Sequence, residues 1–182
     1  MMFRCCLLVF ILLLVIAPLG CHILNKGEDM LVRKLDAVML TANDLPATME
    51  LDVSSSFAIS GRRKFPPIVD GFTQTWDSTR PEENIDVHYW LLRSVKDGRT
   101  AGVKWMDTLA SAGIYLPEPR PEDVIGDATW RIENKECILF VKNNVLVYIM
   151  GNNPLVNQIP FTRSVARKIE AKINAALPKN TN

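Results

Sequence analysis

The sequence predicts an α+β domain, a single antiparallel sheet of about five to six strands with helices packed on one face. Three observations carry that prediction. Apolar residues recur with a period of two in short stretches and with the 3.6 period of a helix in longer ones. Strand candidates are separated by short turn sequences, Ser78 to Glu83 and Asn143-Asn144, which join antiparallel neighbours. Each half of the chain closes with a hairpin feeding an amphipathic helix, a two-half pseudo-repeat, although residue identity between the halves is too poor to establish a duplication.

Residues 1–20 read as a signal peptide: Arg4 beside the amino terminus, an apolar core from Leu7 to Ala17, then Leu19-Gly20. The apolar run meets Pro18 before the roughly 20 residues that a membrane span needs. Cleavage before Cys21 by an enzyme that requires small residues at the first and third positions is disfavoured by Pro18. Leu19-Gly20-Cys21 after an apolar core resembles the bacterial lipobox, which usually carries Leu third before the cysteine where this chain has Pro18 followed by Leu19; the resemblance implies lipidation of the Cys21 thiol with palmitate-class acyl chains. Ordinary cleavage with Cys21 incidental, giving a secreted protein, and a retained anchor are the alternatives. Residues 21–27 then form a lipid-anchored tether, 28–178 a single α+β domain and 179–182 a tail.

Along the domain, Glu28 to Leu40 places Leu31, Leu35, Val38 and Met39 on one helical face, which predicts an amphipathic docking helix. Thr41 to Asp44 has capping-box spacing, and Pro46 closes the turn. Met49, Leu51 and Val53 alternate with Glu50 and Asp52 as in a half-buried strand. Strands follow over Val69 to Trp76 and Ile85 to Val95. The second is apolar on both faces and therefore central. Thr100 is expected to cap a helix whose stripe is Val103, Met106, Leu109 and Ala110 and which ends before Gly113. The Pro117-to-Pro121 stretch is a stiff crossing. Ala128, Trp130 and Ile132 are expected inward and Thr129, Arg131 and Glu133 outward on the next strand, with a turn at Asn134-Lys135. A hairpin runs from Cys137 to Met150 across Asn143-Asn144, and Thr162 is expected to cap a last helix through Val165, Ile169, Ile173 and Ala176 to Pro178.

The 182 residues carry 21 Lys and Arg against 20 Asp and Glu. Removing Arg4 leaves the exported part neutral, so a nucleic-acid partner, which needs a concentrated basic surface, is excluded from the reading. Arg62-Arg63-Lys64 reads as a solvated loop, with contact to acidic headgroups the alternative. Of four cysteines, Cys5 and Cys6 leave with the signal and Cys21 carries lipid; Cys137, in an apolar run, reads as a small buried residue.

Asp44-Leu45-Pro46 after an opening helix, Gly126-Asp127-Ala128 before a hairpin, the Phe140-to-Tyr148 hairpin and Val165-Ala166-Arg167 in a closing helix resemble a loose group of bacterial exported and lipoprotein domains of unknown function. Members often have Arg-Gly-Asn at the hairpin turn, where this chain has Lys142-Asn143-Asn144. The resemblance implies no catalytic residues.

Candidate chemistry is sparse. Asp86 and His88 share a strand face and are the one pairing suited to hydrolase work, but Ser54-Ser55-Ser56 lacks the context of a nucleophile. Glu122, Asp123 and Asp127 lack the spacing of a calcium loop, and Gly126-Asp127 suits turn chemistry. No metal or cofactor is expected. Trp76, Trp90, Trp105 and Trp130 are core, rim or the lining of a cleft. The expectation is a non-catalytic lipoprotein of the bacterial cell envelope, on the outer membrane if the source has one, since His22 is not the aspartate that retains lipoproteins in the inner membrane. It would act as a ligand-binding or sensing module on the outer side of the membrane. The alternative is a structural or protein-interaction component of the envelope, and the distant one a hydrolase using His88 and Asp86.

Overall fold

The computed structural model describes residues 30–58, 68–113, 119–132, 136–153 and 155–178, and no side chain of residues 131 and 132. The signal peptide, Cys21 and its tether, Arg62-Arg63-Lys64, Pro117-Glu118, the expected Asn134-Lys135 turn and the tail lie outside the described residues.

Six strands form one antiparallel sheet: β1 (Met49–Ala58), β2 (Ile68–Ser78), β3 (Ile85–Leu92), β4 (Ala128–Ile132), β5 (Cys137–Lys142) and β6 (Val145–Gly151). Their order is β1-β2-β3-β6-β5-β4, so two meanders meet where β3 pairs β6. The helices are α1 (Val95–Ser111), after β3, and α2 (Ile159–Ala176), after β6. The predicted class and the repeated order of three strands then a helix are therefore present.

The placement of both helices on one face is not. α1 packs with Leu92, Leu139, Val141 and Leu146, whereas α2 packs with Val87, Ile138, Phe140 and Val147. Because side chains alternate across a strand, Leu139 and Phe140 belong to opposite faces, and α1 and α2 cover opposite sides. The reason is visible in β5 and β6, where Cys137 to Val141 and Val145 to Ile149 are buried throughout. A strand apolar on both faces needs a cover on each. The same cover buries Thr129, expected outward, beneath α2, and its hydroxyl bonds the Ile125 carbonyl.

The amphipathic helix expected over Glu28 to Leu40 is absent from the described residues 30–40, which hold a single 3-10 turn at Leu35–Ala37. Val32, Leu35, Val38 and Leu40 are nevertheless buried against the α2 side of the sheet. Tertiary partners have taken the backbone groups that a helix would have used. The Asn144 amide accepts from Val32 N–H at 2.9 Å and donates to Val32 O at 3.1 Å, and Gln74 brackets Leu40 in the same way.

β1 is a strand but not the half-buried one expected, since Leu51 and Val53 are 37% and 76% exposed and only Met49 is buried. It lies at the sheet edge, while α2 packs on β5 and β6 and the 35–37 turn on β2 and β3. α1 begins at Val95 rather than at Thr100, because Ser94 caps it by accepting from Asp97 N–H at 3.1 Å. Its buried face is Gly98, Ala101, Gly102 and Met106, with Val103 exposed, and Gly113 ends it at a φ of 75° as expected. α2 likewise starts before Thr162, whose hydroxyl donates to Gln158 O instead; the Glu136 carboxylate accepts from Ile159 N–H at 2.9 Å and serves its amino end.

Candidate functional site

A groove of about 470 Å3 lies between residues 33–39 and the start of β2 with the end of β3. The irregular path of the 30–40 segment makes it. Leu35 and Val38 turn into the core while the chain between them stands off the sheet. Leu35, Met39, Phe72 and Leu91 form an apolar floor, and Arg33, Lys34, Asp36 and Asp70 stand around it. The side chains of Arg33 and Lys34 are exposed and make no hydrogen bond or ion pair to a described residue. A register irregularity between Ile68 and Asp70 leaves Val69 at the mouth, 60% exposed. Volume, apolar floor and charged rim are what a small amphiphile requires. The spacing of residues 31–39 gave no sign of the groove, because it arises from a helix that does not form.

On the opposite face His88 stacks between Trp90 and Tyr148, with ring centroids 5.8 and 5.6 Å away, and Trp105 of α1 closes the cluster. Burial disfavours the imidazolium and lowers the His88 pKa against the opposing pull of Asp86. The Asp86 carboxylate accepts from the Thr75 hydroxyl at 2.7 Å, while His88 Nδ1 lies 2.9 Å from the Thr73 hydroxyl. The two share a face, as the sequence implied, but each is engaged by its own threonine on β2. The adjoining cleft, lined by Ile68, Leu92, Ala101 and Leu146 beside the tryptophans, holds only about 30 Å3. That is room for about one water, not a substrate.

The remaining candidates are structural. Asp127 accepts from Asn143 N–H at 2.7 Å and pairs with Lys142 at 3.0 Å. Burial pushes its carboxyl up, but these bonds outweigh it and hold the pKa below the usual range. Asp123 is fully buried and paired with Arg163 at 2.6 Å. Glu122 is an exposed neighbour whose carbonyl receives Arg167. These acids do not converge, and no group of three or more metal-ligating side chains exists among the described residues. Cys137 is buried, as expected, with the Tyr148 hydroxyl donating to its sulfur at 3.3 Å. Trp76 is core, and Trp90, Trp105 and Trp130 pack between sheet and α1. No helix among the described residues is long and apolar enough to cross a membrane. No protein-family model, curated protein or solved structure matches this chain.

Proposed function

We propose that this is an exported, non-catalytic domain of a bacterial lipoprotein, held at the outer side of a membrane by acyl chains on Cys21, and that it binds a small amphiphile in the groove beneath residues 33–39. The groove carries the binding reading, because its apolar floor and exposed cations offer both halves of an amphiphile a partner. The signal-like residues 1–20 and Leu19-Gly20-Cys21 support the anchor, and the loose resemblance to exported bacterial domains agrees with it.

The native mass of the protein extracted from its own membrane tests both parts. A mass beginning at Cys21 with acyl chains is expected, accompanied by a small molecule that is lost from the Phe72→Asp variant. An unmodified mass would remove the anchor. An acylated protein without cargo would remove the binding reading. A second reading, docking of an envelope protein, is favoured by β1, an edge strand on which Leu51, Val53 and Phe57 are all exposed. Reproducible crosslinking to one protein in intact cells, lost when Val53 and Phe57 become Ser, is its expected result.

A further inference from the structure

The strand registers divide the molecule into two ends of opposite charge. At one end lie the last residues of β1, β3 and β5 and the first of β2, β4 and β6. The chain enters the fold there, since Asn143 in the β5–β6 turn donates to Met30 O at 3.0 Å and Asn144 pairs with Val32. Arg33, Lys34, Arg93, Lys96, Arg99 and Lys142 are at this end, against Asp36, Asp70, Asp97 and Asp127. Of those aspartates Asp127 is paired with Lys142, Asp97 accepts from the Ser94 hydroxyl at the cap of α1 and Asp70 from Gly71 N–H, while Arg33, Lys34, Arg93 and Lys96 are exposed. The amino end of α1 adds its partial positive charge. At the other end lie Asp77, Glu82, Glu83 and Glu136, with Arg80 paired to Glu83 and Arg163, beside Thr162 at the start of α2, paired to Asp123.

We infer that the domain stands on the membrane with this basic end down, Arg33, Lys34, Arg93 and Lys96 resting against an anionic phospholipid surface. The inference rests on the anchored reading and adds an orientation to it. A tether joined at Met30 brings that end within reach of the bilayer. Exposed cations then gain from the negative surface potential, while the acidic end is repelled. The groove, whose rim includes Arg33 and Lys34, thereby opens beside the lipid.

Acetylation of lysines on the full-length protein, mixed with phosphatidylcholine vesicles and with vesicles containing phosphatidylglycerol, tests this. Lys34 and Lys96 should be protected roughly fivefold on the anionic vesicles and unprotected on the neutral ones, with Lys104, further along α1, equal on both. High salt should abolish the protection. The Arg93→Glu/Lys96→Glu variant should lose the protection of Lys34; acids in the first turn suit the amino end of α1, so this variant keeps its fold. Equal labelling of Lys34 and Lys96 on both vesicles, with the protein floating on both, would overturn the orientation and leave the anchor intact. Failure to float with neutral vesicles would overturn the anchor instead. The patch is then judged by salt-sensitive flotation with anionic vesicles, and no such flotation would overturn it too.

Discussion

Asn144 joins three parts of the chain. Its side chain takes both backbone groups of Val32 and donates to Leu92 O at 2.9 Å, while its own carbonyl accepts from Leu92 N–H at 2.8 Å. Asn144→Ala removes three buried side-chain hydrogen bonds, each worth about 1 kcal/mol, and leaves Val32 N–H and O without partners. A loss of about 3 kcal/mol in urea unfolding is expected, together with rapid amide exchange over residues 32–40. His88 sets a pH response. The folded state disfavours its imidazolium, so its contribution to stability is full above the unfolded pKa of about 6.5 and declines as pH falls below that value. Thermal melts of wild type should therefore drop as pH falls below about 6.5, and His88→Gln should flatten that drop. The carboxyls of Asp44, Glu83 and Asp127 are raised by burial but lowered further by their hydrogen bonds, so their contributions vanish only as pH falls below about 4, in both proteins. Residue-scale chemistry was legible where it is local. Asn143 adopts the positive φ, 56°, that asparagine at a hairpin turn tolerates. The role of Asn144 was not, because Val32 is 112 residues away.

At the scale of elements, glycines fix how α1 lies. A Cβ at Gly102 would stand 2.7 Å from the Trp130 ring, and one at Gly98 2.9 Å from Asn143 O. The helix can approach β4, β5 and the β5–β6 turn this closely only with these positions bare. Gly102→Ala should cost about 1–3 kcal/mol despite the better helix propensity of alanine, measured by chemical denaturation. α2 is pinned differently, by the Arg163 guanidinium on buried Asp123. Arg163→Met leaves a buried carboxylate without that guanidinium and should cost about 3 kcal/mol, with Arg163→Lys recovering a minor part because lysine cannot reproduce the two-nitrogen contact. The period of three to four residues identified α2 and placed Met106 and Leu109 of α1 inward, but it put Val103 and Ala110, which are exposed, on the same face. Val103 satisfies the stripe by hydropathy, yet ahead of Met106 the inward positions are the small residues Gly98, Ala101 and Gly102. Hydropathy registers bulk, whereas close helix-on-sheet packing selects for its absence.

For the whole molecule, the sheet order places β3 and β6 at the centre with a cover on each face, so the two halves share one structural spine. One cooperative unfolding transition is expected, with tryptophan fluorescence and far-UV circular dichroism coincident, since the meanders cannot separate without baring β3 and β6. The sequence by itself determined the class, the strands other than their outer limits, the antiparallel hairpins and the burial of Cys137, because these depend on periodicity and on turn residues a few positions apart. Tertiary structure alone decided that the helices take opposite faces, that residues 30–40 pack without becoming a helix, and that a groove opens beneath them. Each of those outcomes turns on a contact between distant parts of the chain. Asn144 and Gln74 offered the 30–40 backbone partners as good as its own, and with those bonds satisfied the apolar spacing could be buried without a helical turn.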